Sequence, residues 1–195
     1  MKTKKGRISR FGAKTMILLL IASVMLGIAL DLIITQIEKR IYPLEYSEYV
    51  EKYSNEFGVP QRIIYAVIKT ESDFNETAVS PASAHGLMQL TEETFYDVAS
   101  MLGEAPSAFD IYSPDVNIRY GTRYLFYLYK MYDGNWDNAI AAYNAGLGNV
   151  NKWLNDDELS DENGNLIKIP FEETRDYLKK VKKAAEKYEK LYDIN

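Results

Sequence analysis

The sequence predicts a mainly α-helical domain preceded by one N-terminal transmembrane helix, and three observations carry that expectation. From Met16 to Ile34 the chain is predominantly apolar and carries a single charge, Asp31, close to the far end. Beyond it, apolar residues recur at helical spacing between cap-like residues (Thr91, Ser113, Asn135) and glycine stops (Gly58, Gly134), with few runs of strand-like alternation. Finally, 195 residues with 47% hydrophobic content and 16 tyrosines supply enough apolar surface for one sizeable, aromatic-rich core.

Composition narrows the chemistry. Without cysteine there is no disulfide, thiolate metal site, cysteine nucleophile or lipidated cysteine anchor. The one histidine, His85, leaves no histidine cluster for a metal, and any Ser-His triad would depend on it alone. No metal or other cofactor is expected. The first 14 residues carry six basic side chains (Lys2, Lys4, Lys5, Arg7, Arg10, Lys14) and no acid, so the remainder is more acidic than the net charge of −5 suggests. A domain that acidic is a poor nucleic-acid binder.

In chain order, residues 1–14 form a basic segment and Thr15–Thr35 an anchor, since a bilayer core is crossed by roughly 20 apolar residues. The basic flank predicts a cytoplasmic N-terminus and an extracytoplasmic domain in the cell membrane. A cleaved signal peptide competes with this reading because its basic start looks the same. No small-x-small cleavage site follows the apolar run, and Leu32-Ile33-Ile34 prolongs it, which favours an uncleaved anchor. Residues 36–45, with Pro43, read as a short linker to a domain over 46–195.

Within that domain, Tyr46–Phe57 reads as a helix stopped by Gly58, and Pro60 opens the next at its first position. Ile63, Ile64, Val67 and Ile68 give this second helix one apolar face. Asn75–Ala84 is turn-rich and predicts a loop folded back over the helix end. Thr91 caps a helix to Leu102, and Ser113-Pro114-Asp115 opens a long one ending before Asp133-Gly134. Asn135 caps Trp136–Asn144, Val150–Leu154 suggests a short helix, and Asn163-Gly164 is a hairpin-turn signal. A calcium loop there fails: Gly164 at its sixth position would put Leu159 at the first. Phe171–Tyr192 is a final helix with Leu178, Val181, Ala185, Tyr188 and Leu191 or Tyr192 inward, and Lys179, Lys180, Lys182 and Lys183 on a solvated face.

Glu71 is the residue most open to a chemical reading. Helical steps from Ile64 and Ile68 lead to Glu71 and Ser72, so a carboxylate arrives where apolar side chains are expected. Desolvation there favours the neutral carboxyl and raises its pKa, as a general acid near neutral pH requires. On the helix pattern alone, Glu71 equally fits an exposed last turn with no chemical role.

Four pieces in order then carry a resemblance: Glu71-Ser72, Gly86-Leu87-Met88-Gln89, Ala142-Tyr143-Asn144-Ala145-Gly146 and Glu173-Thr174-Arg175-Asp176-Tyr177. Together they resemble the catalytic domain of the soluble-lytic-transglycosylase type, lysozyme-like enzymes that cleave peptidoglycan glycan strands. The resemblance spans about Tyr46–Tyr192 and implies a mainly α, lysozyme-like catalytic domain around a sugar groove. It implies that Glu71 is the sole acid/base, breaking the MurNAc-GlcNAc β-1,4 bond and leaving a 1,6-anhydromuramoyl end. Ser72 and Gln89 become hydrogen-bonding groups around the bound sugar, Met88 and Tyr143 groove walls, Asn144 an amide reading the N-acetyl group or a hydroxyl, and Tyr177 the hydroxyl that reaches the catalytic carboxyl. The partners implied are peptidoglycan strands, the membrane through the N-terminal helix, and cell-wall or secretion machinery nearby.

Two departures from the family pattern stand out. His85 replaces a small residue before Gly86, and Thr91-Glu92 replaces the usual Met-Pro, adding acid near the groove. The alternatives are a goose-type lysozyme-like muramidase, which would use a second carboxylate such as Asp73 or Asp97 to orient water, and a membrane-anchored glycan-binding module with little turnover.

Overall fold

A computed structural model describes residues 10–195, so four of the basic residues (Lys2, Lys4, Lys5, Arg7) lie outside the described residues. The chain divides into two units, Met1–Pro43 and Leu44–Asn195. Among its described residues the first contains one helix, α1 (Arg10–Ile41), 32 residues long. At 1.5 Å per residue that is about 48 Å, longer than the ~30 Å apolar core of a bilayer. Among the described residues it is the one helix long and apolar enough to cross a membrane. Its large apolar side chains face outward all round, as at Leu20 (66% exposed) and Leu32 (60% exposed). Lys39 and Arg40 occupy its last turn, where the helix dipole favours cations. Residues expected as an irregular linker from Gln36 are thus helical as far as Ile41.

The second unit is a ring of helices. α2 (Ser47–Phe57) packs on α3 (Gln61–Glu71), α3 on α8 (Glu172–Tyr192), α8 on α6 (Trp136–Ala145), α6 on α5 (Pro114–Met131), and α5 returns to α2. α4 (Glu92–Leu102) attaches to α5, and α7 (Leu147–Leu154) to α6. The local reasons are mostly those expected. Gly58 ends α2 with φ 72°, a left-handed conformation that glycine adopts at little cost. Thr91 caps α4 by accepting the Thr94 N–H, and Asn135 caps α6 by accepting the Asn138 N–H. Pro60 sits one residue earlier than expected, as the cap of α3 rather than its first residue.

α3 is more deeply sunk than a one-sided stripe implies. All six residues from Ile63 to Ile68 are buried, and Tyr65 stacks on Tyr188 of α8 with ring centroids 5.0 Å apart. On α8 the inward face is Thr174, Tyr177, Val181, Ala184, Ala185 and Tyr188. A second apolar cluster joins α4 to α5 through Phe95, Val98 and Tyr120, and a third gathers Leu128, Ala139, Val150 and Trp153.

A feature absent from the sequence expectation is a two-residue antiparallel hairpin, β1 (Ala84–His85) with β2 (Leu90–Thr91), pairing Ala84 with Thr91 and His85 with Leu90. Its turn is Gly86-Leu87-Met88-Gln89. The Asn163-Gly164 turn closes a smaller excursion with one bridge, Ser160 to Leu166.

Candidate active site

Glu71 is the last residue of α3, held where that buried helix meets α8. From α8, the Tyr177 hydroxyl donates to Glu71 Oε1 at 2.6 Å. Burial pushes the Glu71 carboxyl up to about 7, the charge of Glu173 pushes the same way, and the Tyr177 hydrogen bond opposes both. Desolvation wins because removing a carboxylate from water outweighs one donated hydrogen bond. Tyr143 and Tyr177 are both raised well above the usual phenol value, by burial first and then by the Glu71 charge. Both hydroxyls therefore stay protonated and remain donors.

The Gly86–Gln89 turn is fastened from three sides. Ser72 Oγ donates to the Leu87 carbonyl at 2.8 Å, tying the turn to the end of α3. Tyr143 of α6 donates its hydroxyl to the Met88 carbonyl at 2.8 Å. Asn117 of α5, fully buried, accepts the Met88 N–H at 2.7 Å and donates to the carbonyls of His85 and Ile111 at 3.0 and 2.8 Å. Gly86 has φ 76°, and a Cβ on it would overlap the Asn117 amide. A Cβ on Gly121 would likewise overlap the Met88 side chain. Gln89 holds a left-handed φ of 48° and braces it by donating Nε2 to the carbonyls of Gly86 and Ala78.

These contacts revise several expected roles. The Met88 side chain is completely buried, so it presents no wall to a sugar; it is a core residue whose backbone positions Tyr143. Ser72 and the Nε2 of Gln89 donate to backbone carbonyls within the protein, and among the described residues Gln89 Oε1 has no donor. Asn144 Oδ1 accepts from Thr174 Oγ1 at 2.7 Å, joining the end of α6 to the start of α8, and among the described residues its Nδ2 has no acceptor. Tyr143 is partly accessible and packs against Tyr124. Tyr177 reaches the carboxyl as expected.

The His85 ring makes a 2.7 Å contact with the Tyr112 hydroxyl, and only its backbone carbonyl joins the cluster, through Asn117. Asp73 is paired with Lys69, and Asp97 lies exposed on α4. The carboxylate whose charge bears on Glu71 is Glu173. Sequence reasoning does not single out Asn117 and Gly121 as site residues. Their signal is a polar and a small residue, four apart, on the stripe of α5 that continues through Leu125 and Leu128.

Residues 48–165 match the model of a family described as the transglycosylase SLT domain. The match stops short of α8, so Tyr177 lies outside it. The chain is 36% identical over 143 residues to the soluble lytic murein transglycosylase of Escherichia coli (strain K12), covering 72% of this chain and 22% of that protein. It is 33% identical over 187 residues to the membrane-bound lytic murein transglycosylase C of Serratia proteamaculans, covering 85% of this chain and 52% of the relative. The chain thus spans about a fifth of the soluble relative's length and about half of the membrane-bound one's. Among solved structures, the 70 kDa soluble lytic transglycosylase of Escherichia coli superposes with a TM-score of 0.69 at 31% identity, covering 78% of this chain and 25% of that one. An inactive mutant of the Pseudomonas aeruginosa lytic transglycosylase Slt gives 0.67 at 32% identity, with 77% and 25% coverage. With the family model matching more than half of its length, the chain belongs to the transglycosylase SLT domain family.

Proposed function

We propose that the protein is a peptidoglycan lytic transglycosylase, anchored by α1 with its N-terminus in the cytoplasm, that cuts glycan strands outside the cell membrane with Glu71 as its single acid/base. The observation that carries this reading is the Glu71 carboxyl, held near pKa 7 by burial and pinned at Oε1 by Tyr177.

The chemistry derives from that placement. Protonated Glu71 gives its proton to the glycosidic oxygen leaving the muramoyl unit, and the substrate's own N-acetyl group stabilises C1, so no second enzyme carboxylate is required. The resulting carboxylate takes the proton of the C6 hydroxyl, whose oxygen attacks C1 and closes the 1,6-anhydro ring. Glu71 ends protonated, as it began. A pKa near the working pH suits both halves, since the acid must give and the base must take. With Oε1 engaged by Tyr177, Oε2 is the oxygen that carries the proton. The Nδ2 of Asn144 and the Oε1 of Gln89 are an open donor and acceptor for the sugar.

The test is digestion of purified peptidoglycan by the full chain in detergent, beside Glu71→Gln, with released muropeptides weighed by mass spectrometry. The expected products are one water lighter than hydrolysis products and absent with the variant. Loss of a general acid should cost about 100- to 10,000-fold in rate. Reducing-end products would replace this reading with hydrolysis and make Glu173 the carboxylate to mutate next.

A further inference from the structure

A second polar site lies at the opposite end of α6 from Asn144. Where α6 begins, α7 ends and the 161–165 loop closes, a cavity of about 380 Å³ is lined by six asparagines: Asn135, Asn138, Asn151, Asn155, Asn163 and Asn165. The ten residues of α6 span roughly 14 Å at 1.5 Å each, so this cavity is a separate place from the Glu71 cluster.

Its amides fall into two groups. The back wall is built and bonded. Asn138 donates to the Gly164 carbonyl at 2.7 Å and accepts the Leu166 N–H, and Asn135 donates to Asn165 Oδ1 at 2.6 Å. The loop behind them is wound around Asp161, whose carboxylate accepts the backbone N–H groups of Asn163 and Asn165 and the Asn165 amide. The front amides keep open valences. Asn151 accepts the Tyr132 hydroxyl at 3.1 Å with its Oδ1, and among the described residues its Nδ2 has no partner. Asn155 donates to the Asn151 carbonyl at 2.7 Å, leaving its Oδ1 open, and among the described residues the Asn163 side chain makes no hydrogen bond. Open, exposed donors and acceptors thus stand in front of a bonded wall, beside the apolar edges of Met131 and Leu154.

The lining selects the class of ligand. It contains one carboxylate, Asp133, and no basic residue, so an anion finds no counter-charge. Among the described residues no group of three His, Cys, Asp or Glu side chains stands ready to hold a metal ion. Open amides with an apolar edge suit a neutral molecule that carries amide and hydroxyl groups on an apolar ring face. The volume lies at the small end of the roughly 300–1,000 Å³ usual for ligand pockets. We propose that this cavity is a second saccharide site, taking a neutral N-acetylhexosamine unit. The wall strand as its natural source rests on the activity proposed above; the amide chemistry does not.

The experiment uses the full chain in detergent micelles, carrying Glu71→Gln to prevent turnover and ¹⁵N in its asparagine side chains. Tri-N-acetylchitotriose is the probe, and side-chain amide signals are followed by NMR. Asn151, Asn155 and Asn163 should shift saturably. The variant Asn163→Leu, and the double variant Asn155→Leu/Asn163→Leu, should weaken that binding by about 5-fold or more. An unmoved Asn144 signal in the unliganded variants reports an intact fold. Cellotriose, which lacks acetamido groups, should bind far more weakly. Unshifted cavity amides, shifts that never saturate, equal affinity in the double variant, or equal binding of cellotriose would each overturn the proposal. Muropeptide release reports on the Glu71 reading independently, so failure of either leaves the other standing.

Discussion

Helices α1 and α3 are both apolar runs with a carboxylate near one end, and they face opposite worlds. In α1 no side chain of the central window is buried, and Asp31 is exposed near its far end. In α3 six consecutive residues are sealed inside the domain, and Glu71 closes the run with its carboxyl raised to about 7. Apolar sequence therefore does not specify an interior. It specifies a demand to leave water, which a bilayer or a ring of helices can meet. The position of the acid decides its chemistry, because only a carboxyl at the protein-buried end is desolvated by fixed neighbours that also orient it.

Paired truncations break this comparison most forcefully. Ile68→Ala in α3 should destabilise the domain by about 2–5 kcal/mol through lost burial and a residual cavity. Ile21→Ala in α1 should change the domain's stability, read from its denaturant midpoint, by no more than about 0.5 kcal/mol. Equal effects in detergent-solubilised protein would mean that α1 is packed like a core helix.

Glu71→Gln sharpens the contrast at the helix end. A carboxyl whose folded pKa lies above its unfolded value of 4.5 contributes stability that is fully present below about 4.5 and lost as pH rises through about 7. The glutamine variant lacks that loss. It should be more stable than the parent by about 2–3 kcal/mol at pH 8, and by less than about 1 kcal/mol at pH 5. Melting curves at the two pH values check the sign; a variant less stable at pH 8 would refute a desolvated Glu71.

The smallest effect belongs to Tyr177→Phe. Its hydroxyl favours the Glu71 carboxylate, so removing it should move the alkaline limb of cleavage to higher pH. The rate should also fall about 10-fold, as expected of one positioning hydrogen bond worth roughly 1.4 kcal/mol. A rate profile that falls without shifting would mean Tyr177 acts on the sugar instead.

Much of the fold and part of the site are legible in the chain. Caps and stops at Gly58, Thr91 and Asn135 depend on a few adjacent residues, so their meaning travels with them. Glu71 falls on an apolar periodicity, but the four motifs in order, not that pattern alone, single it out. The hidden features depend on contacts between distant segments. Two-residue strands have no period to read, so β1 and β2 are invisible in the sequence. Met88 reads as a groove wall because sequence does not tell an apolar side chain facing a cleft from one packed on Gly121. Ser72 and Gln89 read as sugar ligands, whereas their donors are engaged by carbonyls 15, 3 and 11 positions away along the chain. The reach of α1 to Ile41 exceeds expectation because Gln36–Arg40 is polar enough to look like a linker yet has no helix breaker before Pro43.

The contact between Gly86 and Asn117 makes two positions, 31 residues apart, a single heritable unit. Any side chain added at 86 takes the space of the amide at 117. Any loss of that amide leaves the Met88 N–H and two carbonyls without their partner. Single replacements at either position are therefore expected to cost stability that a matched change at the other can recover. In a library randomised at 86 and 117 and selected for wall cleavage, survivors should therefore be the parental pair or paired replacements that close the same space.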